Sequence, residues 1–239
     1  LQVGLAKITD LEMLTIARAH LKKSKLAVHM MPGFATIERD LARAIDLGVD
    51  VIRVGCHCTE ADITERHIGY AAKKGLEVVG SLMMSHMTTK ETLLEEASKL
   101  ADYGVTGVSL YDSAGAYLPE DVTSKVGYLK EHLDVEMGFH AHNNLGMAIA
   151  NSVAAVRAGA TIIDGCIRGF GAGAGNAQLE VIVAVFERLG IKTGIDLYKV
   201  LDCARLAKEQ DIVKQNPPIE PTSIVSGLAG VFSGFSKHV

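Results

Sequence analysis

The stretch VEMGFHAHNN, residues 135–144, decides the fold, because its side chains alternate between an apolar and a polar face. Side chains at positions i and i+2 of a β-strand point to the same side. One side of this stretch carries only apolar residues: Val135, Met137, Phe139 and Ala141. The other side carries small or polar residues: Glu136, Gly138, His140 and His142. The pattern predicts a strand with one buried face, followed by a helix that Asn143 or Asn144 is placed to cap.

Five more strand-like runs occur along the chain, and their starts are about 25 to 30 residues apart. Together with the first stretch they form the series 26–31, 51–58, 77–85, 105–113, 135–142 and 161–169. Helix-like sequences fill the gaps, and several of them end at a glycine, which suits a helix C-terminus. Repeated β/α units with apolar strands predict a parallel sheet covered by helices. The regular period favours a (β/α) barrel of the TIM type over a doubly wound sheet, in a single domain spanning residues 1–239.

The composition is that of a core-rich globular chain without a strongly basic surface. The 239 residues are 48% hydrophobic and carry a formal net charge of −4. Lysine and arginine are scattered, so nothing favours nucleic acid or an anionic membrane as a partner. The sequence has no apolar run that would span a bilayer and no signal peptide. Four cysteines (56, 58, 166 and 203) do not suggest a disulfide framework, which predicts a cytoplasmic protein.

The polar side chains of several runs share the face that would line the inside of the barrel. On the fourth run they are opposite Val108 and Leu110, and comprise Ser109, Tyr111 and Ser113 together with Gly107. On the second run they are opposite Ile52, Val54 and Cys56, and comprise Arg53 and His57 together with Gly55. The later residues of each run are near the C-terminal mouth, where barrel active sites lie.

His140 and His142 are the strongest candidates for chemistry. Two imidazoles that project side by side from a strand end can form two corners of a metal site. The alternative is a pair of hydrogen-bonded polar residues at a strand terminus. Their position opposite an apolar face favours the metal site.

Other motifs favour structural roles. GFGAGAGN (169–176) lacks the strand, helix and ribose-binding acid of a dinucleotide site, so we interpret it as a tight turn across the barrel mouth, where Asn176 could present a carbonyl oxygen. CHC (56–58) has no second Cys/His pair at zinc spacing. LMMSHM (82–87) is interpreted as part of the barrel packing. For His86 in this motif, a place in the pocket lining and a purely structural place are equally favoured. Asp112 and Asp164 are expected to be buried, hydrogen-bonded strand-end carboxylates, and Asp164 is also a candidate to support a metal ligand.

The six runs contain no lysine. Schiff-base aldolases built on barrels place a lysine on a strand near the mouth, so a covalent lysine mechanism is disfavoured. Of these two kinds of mechanism, the sequence therefore favours metal-assisted chemistry.

Six motifs occur in order over almost the whole chain: CHCTEAD, LMMSHM, DSAGA, GFHAHNNL, GFGAGAGN and SGLAGVFSGF. In this combination the sequence resembles the 4-hydroxy-2-oxovalerate aldolases. That family belongs to a metal-dependent barrel group with HMG-CoA lyase and isopropylmalate synthase.

The resemblance implies a lyase that cleaves 4-hydroxy-2-oxopentanoate to pyruvate and acetaldehyde with a divalent ion, typically Mn²⁺. It assigns His140 and His142 to the metal, and Ser113 and His140 to the substrate. A base would remove the 4-hydroxyl proton while the ion acts as a Lewis acid on the 2-oxo acid. The resemblance also implies a cytoplasmic role in aromatic hydrocarbon catabolism and an acetaldehyde dehydrogenase as partner.

Two departures from the family pattern qualify the resemblance. The TLRDG-like motif, which carries the family's metal aspartate, arginine and nearby histidine base, does not occur in this sequence. Phe232, in AGVFSGF, stands where the family has a tyrosine near the substrate. These departures leave the catalytic residues unknown and predict that this chain alone is essentially inactive. The six runs, against eight strands in the family, imply about six of the eight units of a (β/α)8 TIM-barrel catalytic domain, with two apolar strand edges. If it is active, Asp164, His29 and His57 are the first candidates for the missing roles. The alternatives are an acyl-CoA lyase or synthase of the same metal group, and a non-catalytic barrel fragment.

Overall fold

The computed structural model describes residues 6–210, 212 and 217–238. Six strands lie in one sheet in the order of the chain, and every neighbouring pair is parallel. They are β1 (Ala27–Met30), β2 (Val51–His57), β3 (Glu77–Met83), β4 (Gly107–Asp112), β5 (Glu136–Ala141) and β6 (Ile162–Ile163). The six predicted runs and their parallel order are therefore confirmed, as a half-barrel of the (β/α) type.

Nine α-helices lie within the described residues. They are α1 (Asp10–His20), α2 (Ala42–Asp46), α3 (Glu65–Lys73), α4 (Lys90–Tyr103), α5 (Pro119–His132), α6 (Ala148–Arg157), α7 (Leu179–Arg188), α8 (Leu197–Glu209) and α9 (Pro221–Leu228). A π-helical turn at Ile37–Leu41 precedes α2, and 3-10 turns occur at Ala61–Thr64, Ser85–Met87, Ile167–Gly169 and Ser233–His238. The sequence alone did not predict α1, α7, α8 or α9.

The helix α4 illustrates how local sequence sets the element ends. Thr89 caps it by accepting a hydrogen bond from the Thr92 amide at 3.3 Å. Gly104 ends it with φ of 103°, a left-handed conformation that costs glycine little. From there the chain enters β4 within three residues, as the glycine-terminated repeat predicts.

The main core lies between the sheet and its helices. The helix-facing strand residues are almost fully buried, including Ile52, Val54, Val78, Leu82, Val108, Leu110, Met137 and Phe139. Helix residues that join the same cluster include Ile68, Leu93, Leu100 and Leu129. Each such side chain contributes about 1.5–3 kcal/mol when it leaves water. This burial orients the opposite face of every strand, with its polar residues, toward the barrel interior.

The last strand is much shorter than the predicted run 161–169. After Ile163 the chain pairs with the segment that returns from the glycine-rich loop: the Cys166 amide donates to the Ala177 carbonyl at 2.9 Å. The Ala177 amide in turn donates to the Ala141 carbonyl of β5 at 3.1 Å. The returning segment thus lies between β5 and Cys166, and ordinary strand pairing stops there.

The helix after the histidine pair also begins later than expected, at Ala148. Neither asparagine is its N-cap residue, because that position is held by Met147, which makes no side-chain cap. Asn143 nevertheless accepts a hydrogen bond from the Ala148 amide at 3.2 Å. A turn at Gly146, with φ of 74°, separates the asparagines from the helix.

Within the described part of the chain, no helix is both long enough and apolar enough to cross a bilayer.

Candidate active site

His140 and His142 lie on the interior side at the C-terminal end of β5, as the alternation of the strand predicts. His140 pairs with Tyr111 of β4, and its ring stacks on the tyrosine ring with a centroid distance of 4.4 Å. His142 follows the strand and forms an isolated bridge with Asn176. The two imidazole centroids are 5.2 Å apart. Both rings therefore reach the same region of the barrel mouth.

Asp164, just beyond β6, connects His140 to a distant arginine. Its Oδ2 accepts a hydrogen bond from His140 Nδ1 at 3.1 Å. Its Oδ1 pairs with Arg53 Nη1 at 2.6 Å. Burial on its own would raise the pKa of Asp164, but the His140 hydrogen bond and the Arg53 charge outweigh it and leave that pKa below its usual value. Asp164 is thus held as a carboxylate in contact with His140; its role as a support for a metal ligand stays a prediction.

Arg53 has no predicted role, and the structure brings it into this network. Arg53 on β2 is in register with Val79 of β3, which is in register with Gly107 of β4. This register lies closer to the N-terminal ends of the strands than that of His140, which is paired with Tyr111. The Arg53 guanidinium passes the Tyr111 ring, with Cζ 5.6 Å from the ring centroid, before it reaches Asp164. The alternation of side chains along β2 indicates that Arg53 points into the barrel, but it does not indicate that Asp164 is its partner.

The two imidazoles fit a divalent ion through the chemistry of their nitrogen donors. Nδ1 of His142 is buried and has no hydrogen-bond partner among the described residues. Burial and the neighbouring His140 lower the pKa of His142 to about 4, against a smaller opposite effect of the Ala172 backbone, so this ring is neutral at pH 7. The Nδ1 of His140 is engaged with Asp164, which leaves its Nε2 for another ligand. Within the described ranges, no group of three or more His, Cys, Asp or Glu side chains is arranged to hold a metal ion.

Ser113 and Asp112 order the turn that follows β4. Asp112 is fully buried and accepts hydrogen bonds from the amides of Ala116 and Tyr117 at 2.9 and 3.1 Å. It is therefore a structural carboxylate, as expected. Ser113 Oγ accepts from the Met84 amide at 2.9 Å, and the Ser113 carbonyl accepts from the Ser233 amide at 3.0 Å.

The glycine-rich loop packs tightly over the barrel mouth. A Cβ at Gly175 would lie 2.1 Å from the Gly169 carbonyl oxygen, and one at Gly171 would lie 2.3 Å from Asn176 Nδ2. Asn176 Nδ2 donates to the Phe170 carbonyl at 2.8 Å, whereas its Oδ1 is buried without a partner in the described structure. The tight turn predicted from GAGAGN is therefore present.

The remaining candidates have mainly structural contacts. His86 Nε2 contacts the Gly230 carbonyl at 2.9 Å, and His57 Nδ1 contacts Thr59 Oγ1 at 2.8 Å. Cys58 is buried and its thiol contacts the Met84 carbonyl at 3.3 Å. Phe232 is half-buried, with its ring edge-to-face on Phe235 at 5.6 Å between centroids.

A large cavity of about 790 Å³ lies beside β1 rather than at the histidine pair. His29 is among its lining residues, and the His29 ring stacks on Tyr111 at 5.9 Å. The cavity therefore adjoins the interior face of the sheet.

Comparison with known proteins places this fold in a class. A family model described as HMGL-like matches residues 1–207. The crystal structure of HMG-CoA lyase from Bacillus subtilis superposes with a TM-score of 0.76 at 23% identity, covering 90% of this chain and 79% of that one. This similarity establishes the barrel fold. The class is thus that of HMGL-like (β/α) barrels.

Within that class the relatives of higher identity carry one name. A 4-hydroxy-2-oxovalerate aldolase from Spirochaeta aurantia is 63% identical over 239 residues, which is 100% of this chain and 70% of the relative. One from Pectobacterium atrosepticum is 60% identical, covering 99% of this chain and 69% of the relative. The chain belongs to the 4-hydroxy-2-oxovalerate aldolase family, whose members are lyases.

Proposed function

We propose that this protein is a metal-dependent pyruvate aldolase that cleaves 4-hydroxy-2-oxopentanoate to pyruvate and acetaldehyde. The observation that carries the proposal is the pair of converging imidazoles at the barrel mouth, in a chain that shares 63% of its residues with an aldolase of that name. The relatives of high identity favour this reaction over acyl-CoA cleavage, because the HMG-CoA lyase similarity lies at 23%. The catalytic domain would include all of 1–239.

His140 and His142 are the residues that would hold a divalent ion, and Mn²⁺ is the ion we propose. Their imidazole nitrogens are suitable donors for manganese alongside oxygen ligands. A bound ion supplies Lewis-acid polarisation of the 2-oxo group. We assign no described residue as the general base.

Two further side chains, Ser113 and Phe232, are proposed to orient the substrate, and Asn176 is proposed to support the metal ligands together with Asp164. The Ser113 oxygen accepts from Met84, which leaves its O–H free to donate to a substrate oxygen. Asn176 contributes a buried carbonyl oxygen that lacks a partner among described groups. Phe232 contributes an apolar ring where a tyrosine would contribute a hydroxyl, so we propose looser orientation of the substrate hydroxyl.

We also propose an acetaldehyde dehydrogenase as the protein partner, within aromatic hydrocarbon catabolism in the cytoplasm. Exposed apolar side chains on the last two helices support a protein interface: Tyr198 is 79% exposed and Leu228 is 76% exposed. Four free cysteines are in keeping with a reducing compartment.

The test is pyruvate release from 4-hydroxy-2-oxopentanoate by the intact purified enzyme, before and after chelation, with Mn²⁺ added back; residues 1–239 alone are expected to release essentially none. We expect chelation to abolish release, Mn²⁺ to restore it, and His142→Ala to lower it by more than about a hundredfold. The matched control is His132→Ala, which removes an exposed histidine on α5 that contacts the Tyr128 carbonyl. Release that survives chelation, or that is equal in the His142 and His132 variants, would contradict the proposal. Cleavage of HMG-CoA instead would identify the rival activity.

A further inference from the structure

We propose that Arg53 is a positioning residue that acts through Asp164 to fix which nitrogen of His140 carries the hydrogen. The inference rests on the proposed function, in which His140 holds the metal ion. The position of the hydrogen on the His140 ring can be measured without any metal present.

The contacts form a continuous chain across the barrel. Arg53 is on β2 and Asp164 follows β6, so three other strands lie between them. Each carboxylate oxygen has its own partner: Oδ1 pairs with Arg53 Nη1 at 2.6 Å, and Oδ2 contacts His140 Nδ1 at 3.1 Å. Because the two partners use different oxygens, the arginine sets the rotation of the carboxylate that the histidine meets.

The chemistry of these groups determines the direction of the hydrogen bond. An arginine in a protein is always a cation and only donates, and an ionised carboxylate only accepts. The hydrogen of the His140–Asp164 contact therefore belongs to Nδ1 of the imidazole. The lone pair of the neutral ring is then on Nε2, the nitrogen that remains available to a metal ion.

Tyr111 holds the same groups from one side. The His140 ring stacks on the tyrosine ring with an interplanar angle of 22°, and the Arg53 guanidinium lies 5.6 Å from the centroid of that ring. The phenol is deeply buried, and burial raises its pKa to about 12, so it stays neutral beside the carboxylate. The imidazole plane is thus fixed by stacking while its hydrogen is fixed by Asp164.

Stability alone does not explain the Arg53–Asp164 pair. Both side chains are only 17% exposed, and burying two charges costs solvation that apolar residues of the same size would not lose. Arg53 is also poorly satisfied, because Nε and Nη2 have no hydrogen-bond partner among the described residues. A role in orienting His140 accounts for the presence of an Arg53–Asp164 pair whose burial costs solvation free energy.

The sharpest test is Asp164→Asn. The amide oxygen can still accept from Arg53, which turns the amide NH₂ toward His140 Nδ1 and requires that nitrogen to accept. We expect the ring to change to the Nε2–H form, as seen by ¹⁵N NMR of metal-free protein labelled on histidine. The Mn²⁺ dissociation constant, measured by electron paramagnetic resonance, should rise about 10- to 100-fold.

A second variant addresses the arginine directly. Arg53→Met removes the cation but keeps the length of the side chain, and we expect a mixture of both ring forms and weaker Mn²⁺ binding. The double variant should be little worse than Asp164→Asn, because the two residues act in one chain of contacts. If Arg53→Met does not fold, Arg53→Lys replaces it: this variant keeps a cation, but on a shorter side chain that holds Asp164 less firmly, and the ring should again lose its pure Nδ1–H form.

The matched control is Arg18→Met. Arg18 also pairs with an aspartate on another element, Asp50, at 2.8 Å, but far from the histidines. It should change neither the His140 ring form nor the Mn²⁺ affinity. The proposal is overturned if either Asp164→Asn or the Arg53 variant keeps the Nδ1–H form and wild-type affinity, or if Arg18→Met causes the same changes. If the wild-type protein binds no Mn²⁺, the proposed function fails, while the ring forms in metal-free protein still decide this inference.

Discussion

The position of Phe232 is set by contacts of its neighbours. The Gly230 carbonyl, two residues before it, contacts His86, and the Ser233 amide, one residue after it, donates to the Ser113 carbonyl at 3.0 Å. These two contacts hold the segment across the ends of β3 and β4. The phenyl ring itself contacts Phe235 rather than a polar group.

The change Phe232→Tyr tests whether this ring faces the substrate. We expect a change in affinity or in preference between the two enantiomers of 4-hydroxy-2-oxopentanoate. A site that hydrogen-bonds a substrate hydroxyl discriminates more strongly than an apolar site does. The measurement is the steady-state kinetics of each enantiomer, with Tyr198→Phe on the exposed face of α8 as control. Kinetics identical to wild type for both enantiomers would mean that the ring packs away from the substrate.

Single residues differ in how well the sequence predicts them. The common face of His140 and His142 follows from strand alternation alone, and the burial of Asp112 follows from its place at a strand end. The Arg53–Asp164 contact joins residues that are 111 positions apart, so it depends on the register of four strand pairs. Alternation indicates that Arg53 points inward, but the level that its guanidinium reaches is set by the length of its side chain and by Tyr111.

At the scale of elements, the interior of the sheet depends on glycines opposite polar side chains. Gly138 of β5 is paired with Ser109 of β4. A Cβ at Gly138 would lie 2.7 Å from Ser109 Oγ and 3.2 Å from its Cα. Since part of this contact is with the backbone, a rotamer change cannot relieve it fully.

We therefore expect Gly138→Ala to lower the free energy of unfolding by about 1–3 kcal/mol through overpacking. The matched control is Gly69→Ala in α3, where no atom lies within 4 Å of the added Cβ. There the change should raise the free energy of unfolding by about 0.5–1 kcal/mol, because alanine favours the helix. Urea denaturation measures both. Equal effects of the two substitutions would show that Gly138 is not tightly packed.

Elements were predicted best where the repeat is regular. The strands β1 to β5 and the helices α3 to α5 coincide with the periodic runs, because each has one apolar face. The helices α3 and α4 are in addition followed by glycines with positive φ, Gly75 and Gly104. The run at 161–169 failed as a full strand, since its later residues pair with the segment that returns from the glycine-rich loop. That pairing depends on the loop's path, which residue periodicity does not encode.

For the whole molecule, stability should be highest in the middle of the sheet. The strands β3 and β4 are hydrogen-bonded on both sides, and their helix-facing side chains are fully buried. The helix α8 buries only Val200, Ala204 and Ala207, and it exposes apolar side chains such as Tyr198 and Leu206. Amide exchange followed by mass spectrometry should be slowest in β3 and β4 and clearly faster in α8. Similar exchange rates in β4 and α8 would contradict a core centred on the sheet.

The pairing of Arg53 with Asp164 also has a consequence for the order of events during protein synthesis. At about 5–20 residues per second, a ribosome needs about 5 to 20 seconds to add the 111 positions that separate the two residues. During that interval the nascent chain can pair β2 with β3 and then with later strands, while the guanidinium has no carboxylate to meet. The histidine that depends on Asp164 is itself translated 24 residues earlier. The chemical centre therefore assembles after most of the sheet exists, and a nascent barrel cannot acquire its oriented imidazole before its scaffold.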